Sequence, residues 1–250
     1  MLLAGFGAGL VLTAAGAGSL VSFPLLLSTG LSPLSANVCN NVGLIAGGVT
    51  GSLGFRNELR HHRRLVVRVA ATSAAGALLG AALLLRLPAT TFDTVVPFLV
   101  LGSATLVGLQ PLVAWWLRRR TARRGGPAPE PRHHMGPGLT GLSSLVGVYG
   151  GYFGAAQGVM LIAFLGLGLD VDLRVVNGLK NIAVLCANIA AGVVFVLFGP
   201  LHWGVVTLLA VGALVGGWLG AHVARRMPPV LFRTVVVVVG YVVGLQLLLG

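Results

Sequence analysis

Acidic residues are nearly missing from this sequence, with five Asp and Glu against seventeen Lys and Arg. The five are Glu58, Asp93, Glu130, Asp170 and Asp172, and all fall in connections or at the ends of apolar stretches. No carboxylate lies deep in an apolar segment, which argues against a relay of buried carboxylates for protons. Charge of either sign is scarce at 9% of residues, where soluble domains carry about 25%. The two cysteines, Cys39 and Cys186, sit inside apolar segments and form no disulfide framework or metal-ligand spacing. No GxxxxGK[ST] element occurs, which excludes an ATP motor within the chain. The first apolar stretch has no basic residues ahead of it and is not expected to be a cleaved signal.

What remains is apolar: 56% of the 250 residues are hydrophobic. A soluble fold cannot hide that much apolar surface. A spanning helix needs about 20 apolar residues to cross a hydrocarbon core about 30 Å thick. Apolar segments lie at about 2–28, 34–54, 67–85, 94–117, 137–168, 175–198, 203–222 and 232–249. They are continuous rather than alternating, so the expectation is helices that satisfy their own backbone in lipid, not a barrel. The net charge of +12 comes from basic residues in or beside the connections, all but Lys180. That is the positive-inside pattern of a membrane protein, and nucleic acid is not an expected partner.

The chain repeats. Between residues 118 and 135 the sequence RRRTARRGGPAPEPRHHM divides two apolar halves, giving a first repeat over 1–118, a cytoplasmic linker over 119–135 and a second repeat over 136–250. An offset of 140 aligns the halves without a gap from about Gly16 to Pro97. Asn37 and Asn41 then meet Asn177 and Asn181, Gly76 and Gly80 meet Gly216 and Gly220, and Pro88 and Phe92 meet Pro228 and Phe232. The 55–66 connection is Arg-rich while its counterpart at 198–203 has no Arg, and the bias reverses for 86–93 against 225–233. Equivalent loops thus face opposite sides, as in an inverted repeat. The loops 55–66, 118–135 and 225–231 are expected to be cytoplasmic.

Inversion needs an odd number of crossings per half. The first segment of each half is broken, by Gly16-Ala-Gly18 and by Gly154-Ala-Ala-Gln157-Gly158. The expected fold is an all-α polytopic membrane protein of two inverted repeats. Each repeat is a glycine-broken, re-entrant helix hairpin plus three transmembrane helices, conventionally counted as eight segments in all. The alternative makes each long segment one tilted crossing, with eight crossings and a parallel repeat.

The stretches GVYGGYFGAAQGVMLIAFLGLG and VVNGLKNIAVLCANIAAGVVFVLFG, together with GSLGFRNEL, LLLRLPATTFDTVVPFLV and the LHW loop, resemble the sulfite exporter TauE/SafE family of membrane permeases. The resemblance covers nearly the whole chain. It implies a secondary transporter for sulfite, sulfonates or related organosulfur anions. The Gly-x-Gly-Gly-Gly element common in that family is degenerate in both copies here. The Thr-Ser pair often found at the start of the second segment is replaced by Cys39-Asn40 and Leu179-Lys180.

The residues themselves also point to an anion. A helix N-terminus carries about half a positive charge and free N–H groups, and a hairpin broken at glycine places such an end inside the membrane. The candidate substrate-binding residues are Gly18, Gly154, Gln157 and Gly158 at the breaks, the amides of Asn37, Asn41, Asn177 and Asn181, and Lys180. Lys180 is the one basic residue well inside an apolar segment, where a charge costs at least about 3 kcal/mol. The bland alternatives are that Lys180 snorkels to the cytoplasmic face and that the amides and glycines only join helices. Gly76, Gly80, Gly212, Gly216 and Gly220 are read as packing glycines, and Tyr149 and Tyr152 as packing aromatics. His61, His62, His133 and His134 lie in loops, and no nucleophile–base or metal constellation is apparent, so no catalytic residue, metal or cofactor is expected. The expectation is a transporter or facilitator of the cytoplasmic (inner) membrane, with a small anion and lipid as partners and a homo-oligomer compatible with the sequence. The alternatives are an intramembrane enzyme and a membrane subunit of a partner complex.

Overall fold

The computed structural model describes residues 1–123, 134–223 and 230–249. These residues form eleven helices and no strand: α1 (Leu2–Ala15), α2 (Ser19–Leu27), α3 (Pro33–Gly54), α4 (Arg56–Leu59), α5 (Arg63–Arg86), α6 (Ala89–Arg123), α7 (Pro137–Tyr152), α8 (Gln157–Gly168), α9 (Leu173–Phe198), α10 (Trp203–Val223) and α11 (Val230–Leu249). Among the described residues four helices are long and apolar enough to cross a membrane, over Arg63–Arg86, Ala89–Leu109, Leu173–Phe198 and Trp203–His222. The chain is an all-helical, polytopic membrane protein. α6 has 35 residues, roughly 52 Å of helix, more than the apolar layer needs. It carries on into the first residues expected to be linker, where the Arg119 guanidinium stacks 3.8 Å from the Trp115 ring centre one turn earlier. Residues 124–133, the body of the expected linker, and 224–229, most of the expected 225–231 loop, lie outside the described residues.

Both broken segments fold back on themselves. α1 has 14 residues and α2 has nine, roughly 21 and 14 Å, so neither spans about 30 Å alone. Val21 of α2 lies beside Gly7 of α1, and Gly168 at the end of α8 lies beside Leu139 near the start of α7. Each pair is therefore an antiparallel hairpin. The chain reverses at Gly16 (φ 78°) and at Gly154 (φ 76°), left-handed positions that cost a residue with Cβ about 1–2 kcal/mol. The other helices start where local chemistry favours it. Pro33 and Pro137 take first-turn positions where no N–H is missed, and the Ser32 hydroxyl accepts from Ser35 N–H at 3.3 Å.

The two hairpins are exchanged between the halves. α1 packs on α10 and α2 on α11, while α7 packs on α5 and α8 on α6; α3 and α9 pack together at the centre. The exchanged seams run on bare backbone, as expected of the packing glycines. A Cβ on Gly80 would sit 2.0 Å from the Val148 carbonyl oxygen, and one on Gly220 would sit 2.7 Å from that of Leu10. One expectation changes. α3 and α9 begin 140 residues apart, at Pro33 and Leu173, but Gly16 and Gly154 are 138 apart, as are Leu10 and Val148 on the two seams. The gapless alignment from Gly16 thus holds only beyond the hairpins. The two-residue difference arises because α8 has 12 residues against nine in α2, while the connection after it, 169–172, is one residue shorter than 28–32.

Candidate anion site at the crossing of two helix breaks

The two chain reversals meet. Gly158 N–H donates to the Gly16 carbonyl at 3.1 Å. A Cβ on Gly158 would come within 2.5 Å of Gly16 Cα, and one on Gly16 within 2.7 Å of Gly158 Cα. Only glycine at both positions lets the hairpins approach this closely. Gly18 works within its own hairpin, where its bare Cα leaves room for the Ala8 carbonyl. Gly154 ends α7, its N–H and that of Phe153 both donating to the Tyr149 carbonyl. Ala156 follows with φ 59°, the one described residue other than glycine with positive φ, so the second break holds strain that the first does not.

Lys180, the chain's single lysine, reaches this crossing. It is the eighth residue of α9, roughly 10 Å along the helix, and its side chain is 0% exposed. Nζ donates to the Thr13 carbonyl in the last turn of α1 at 2.8 Å, and Cδ lies 3.2 Å from where a Gly16 Cβ would stand. The side chain therefore does not snorkel. Asn37 makes the related contact in the other direction, Nδ2 donating to the Tyr152 carbonyl in the last turn of α7 at 2.9 Å. Each first limb ends in carbonyls with partial negative charge. The Lys180 amine covers one end and the Asn37 amide the other.

The remaining candidates divide. Gln157, first residue of α8, is 0% exposed, and neither its amide nitrogen nor its oxygen has a partner. Asn181 is buried with its amide nitrogen unpartnered. Asn41 donates to Asn188 Oδ1 at 3.3 Å across the α3–α9 contact, and its own oxygen is unpartnered. Asn177 is not brought inward in the same way: it is half-buried and its amide donates to Leu173 O of its own helix at 3.1 Å.

Other polar groups gather at the breaks: the sequence does not mark Asn40, Ser19, Ser22 and Ser103 as site residues, and it marks Tyr149 as a packing aromatic. Asn40, which stands where the second half has Lys180, donates to Ser19 Oγ at 2.9 Å and accepts from Ser22 Oγ. At the second break the Tyr149 hydroxyl bonds the Ala155 carbonyl and Ser103 Oγ, and Ser103 also donates to Ala155 O at 3.1 Å. Thr13 contributes only a backbone carbonyl, which no side-chain pattern reveals. No cluster of three or more metal-ligating side chains occurs among the described residues.

Known proteins of the same kind share this chain's length and character. The "Probable membrane transporter protein ORF9" of a Sinorhizobium species is 26% identical over 249 residues, covering 99% of this chain and 91% of that protein. A "Probable membrane transporter protein" of Haemophilus influenzae is 27% identical over 240 residues, covering 95% and 89%. The Escherichia coli K12 "Probable membrane transporter protein YfcA" is 26% identical over 248 residues, covering 96% and 86%. No solved structure matches the chain significantly. The chain is a multi-pass protein of the cytoplasmic membrane and of a transporter family. Residues 1–247 match the family description "Sulfite exporter TauE/SafE", and the chain belongs to that family.

Proposed function

We propose that this protein is a secondary transporter or facilitator that carries a small oxyanion, sulfite or a related sulfur-containing anion or organosulfonate, across the cytoplasmic membrane. The halves act as inverted repeats, each with three crossings and a re-entrant hairpin, and the anion binds where the two breaks cross. The observation that carries this reading is the fully buried Lys180 at that crossing, in a fold whose second break also buries a Gln157 amide with no partner.

The electrostatics follow from the caps. Each break holds the negative end of one short helix and the positive end of the next. Lys180 and Asn37 donate to the negative ends, leaving the α2 and α8 N-termini and the lysine charge to set the local field. That field favours an anion. In the closed arrangement the Thr13 carbonyl holds the ammonium. An arriving oxyanion replaces that carbonyl as the acceptor, and the free amides of Gln157 and Asn181 supply further directed donors. A negative cell interior drives one anionic charge outward by about 2.3 kcal/mol per 100 mV, so export needs no coupling ion.

The test is flux. Purified protein in liposomes should pass sulfite down its gradient, faster when the sulfite-containing side is made negative. Lys180→Met should reduce that flux while still inserting as a monodisperse protein. Liposomes no more permeable to sulfite, thiosulfate or small sulfonates than protein-free ones would overturn the proposal.

A further inference from the structure

A second site lies away from the crossing, where α3 and α9 part below the 55–66 connection. A cavity of about 400 Å³ opens there between the end of α3, α4, the start of α5 and the middle of α9. Its walls are apolar, formed in part by Val49, Leu53, Ile182 and Leu185, and Arg56, Arg60 and Arg63 line it at one end. Val49 and Leu53 are 39% and 59% exposed, so in a membrane this wall faces acyl chains rather than protein. Ser52 also lines the cavity; it is buried, and its hydroxyl has no partner. All three arginines are exposed side chains.

We propose that this cavity holds the headgroup and upper acyl chain of one anionic phospholipid. The arrangement matches the two ends of such a molecule. Val49, Ser52 and Leu53 stand in the last two turns of α3, and Arg56, Arg60 and Arg63 follow the break at Phe55, on α4, just after it and at the start of α5, so the chain passes from apolar wall to basic end as such a molecule passes from acyl chain to phosphate. Arginines suit phosphate because their planar forks bind its oxygens in pairs. The Ser52 hydroxyl below them can donate to a glycerol ester oxygen, which gives that buried group the partner it lacks. Basic pockets between membrane helices are where anionic headgroups bind. A small free anion would use the arginines but has no use for the apolar wall. The site is separate from the crossing and does not depend on what the crossing carries.

Native mass spectrometry of the full chain in detergent can test this with added phosphatidylglycerol, phosphatidylcholine, glycerol 3-phosphate, inorganic phosphate and sulfite. One phosphatidylglycerol should be retained per protein, at least tenfold more tightly than phosphatidylcholine. The triple variant R56A/R60A/R63A should weaken that retention about a hundredfold, taking each arginine as about fivefold, while the R56K/R60K/R63K variant, which keeps the charge but loses the forks, should fall between the two. Ser52→Leu, which fills the cavity floor, should weaken phosphatidylglycerol with the arginines intact. R86A, at the other end of α5, should bind like the unaltered chain. Retention of phosphatidylglycerol and phosphatidylcholine to the same extent, or an unchanged signal in the triple alanine variant, would overturn the proposal. Equal binding by glycerol 3-phosphate, phosphate or sulfite would also overturn it, and would make the pocket a mouth for small anions instead.

Discussion

Asn40 and Lys180 occupy equivalent places on α3 and α9, one in each half, yet their surroundings differ in kind. Asn40 is satisfied inside its own half, with Ser19 accepting from it and Ser22 donating to it. Lys180 reaches into the opposite half, to the Thr13 carbonyl, and Gln157, which stands where the first hairpin has Ser19, has a side-chain amide without a partner. At these equivalent places the first half closes its polar groups and the second leaves an amide open. Buried polar groups are almost always paired in proteins, because an orphan costs about 1–3 kcal/mol. A fold keeps such a cost where a ligand will use the group. On the proposed function this is a division of labour, with the first half supplying a rigid frame and the second the groups offered to the anion.

The largest effect should come from forcing the two halves apart. Gly158→Leu puts a side chain where a Cβ alone would be 2.5 Å from Gly16 Cα. Both partners are backbone and cannot give, so overpacking should cost about 3 kcal/mol or more. The variant should fail to give a monodisperse peak in fluorescence-detected chromatography or should melt well below the unaltered protein. A normal melting temperature would mean the breaks need not touch.

Asn40 and Lys180 should then separate into stability and affinity. Asn40→Ala removes the donor to Ser19 and leaves Ser22 only the Gly18 carbonyl; it should lower stability by about 1–3 kcal/mol, with little change in substrate affinity. Lys180→Met keeps the length and removes the charge. It should weaken anion binding by about tenfold or more, from a charge-assisted bond of about 1.5–3 kcal/mol. Thermal melting and ligand-induced shifts on the same two variants measure both quantities. If Lys180→Met lowers only stability and leaves affinity alone, the lysine is a helix-end cap and no more.

Gln157 gives a sharper, smaller contrast. No hydrogen bond is lost when its amide becomes a thioether, so Gln157→Met should raise the melting point by a few degrees, about 1 kcal/mol from relieving an orphan. The same change should weaken the anion by roughly fivefold as a donor disappears. A stabilising substitution that costs function is the mark of a group kept for a ligand. A destabilised Gln157→Met would place the amide in the frame instead.

Much of this arrangement is readable from residue order. The broken hairpins follow from Gly16-Ala-Gly18 and Gly154 within segments otherwise long enough to cross. The seams at Gly80 and Gly220 follow from their four-residue spacing with other glycines, and Lys180 stands out because a charge is costly in lipid. The two-residue change of register in the hairpins was not readable, since Gly- and Ala-rich sequence aligns almost equally well at 138 and 140. Thr13, Ser19 and Ser22 were not readable as partners either. Their contacts with Lys180 and Asn40 join residues far apart in sequence, and Thr13 acts through a carbonyl that every residue possesses.

Asn177 is where the repeat misleads most. It matches Asn37 in the alignment, and equal positions suggest equal roles. Asn37 crosses to the Tyr152 carbonyl at the end of α7, whereas Asn177 bends back to Leu173 O in the first turns of its own helix. At the end of α1 the Thr13 carbonyl, one residue before the counterpart of Tyr152, already accepts Lys180 Nζ, and a charge-assisted bond outcompetes a neutral one by roughly twofold in strength. An amide displaced from that position falls back on the nearest backbone acceptor, four residues earlier. Such a half-exposed, local bond is worth little, so Asn177→Ala should change stability by about 0.5 kcal/mol or less and anion affinity by less than about twofold. Asn37→Ala, which uncovers a helix end, should cost about 1–2 kcal/mol by comparison. The double variant Asn177→Ala with Lys180→Met isolates the cause. If the lysine is what excludes the amide, Lys180→Met alone lets Asn177 turn inward to Thr13 O, and the added Asn177→Ala change then costs about 1 kcal/mol that it does not cost in the unaltered chain. Equal effects of Asn177→Ala in both backgrounds would show that the two halves differ at this position for a reason other than competition for one carbonyl.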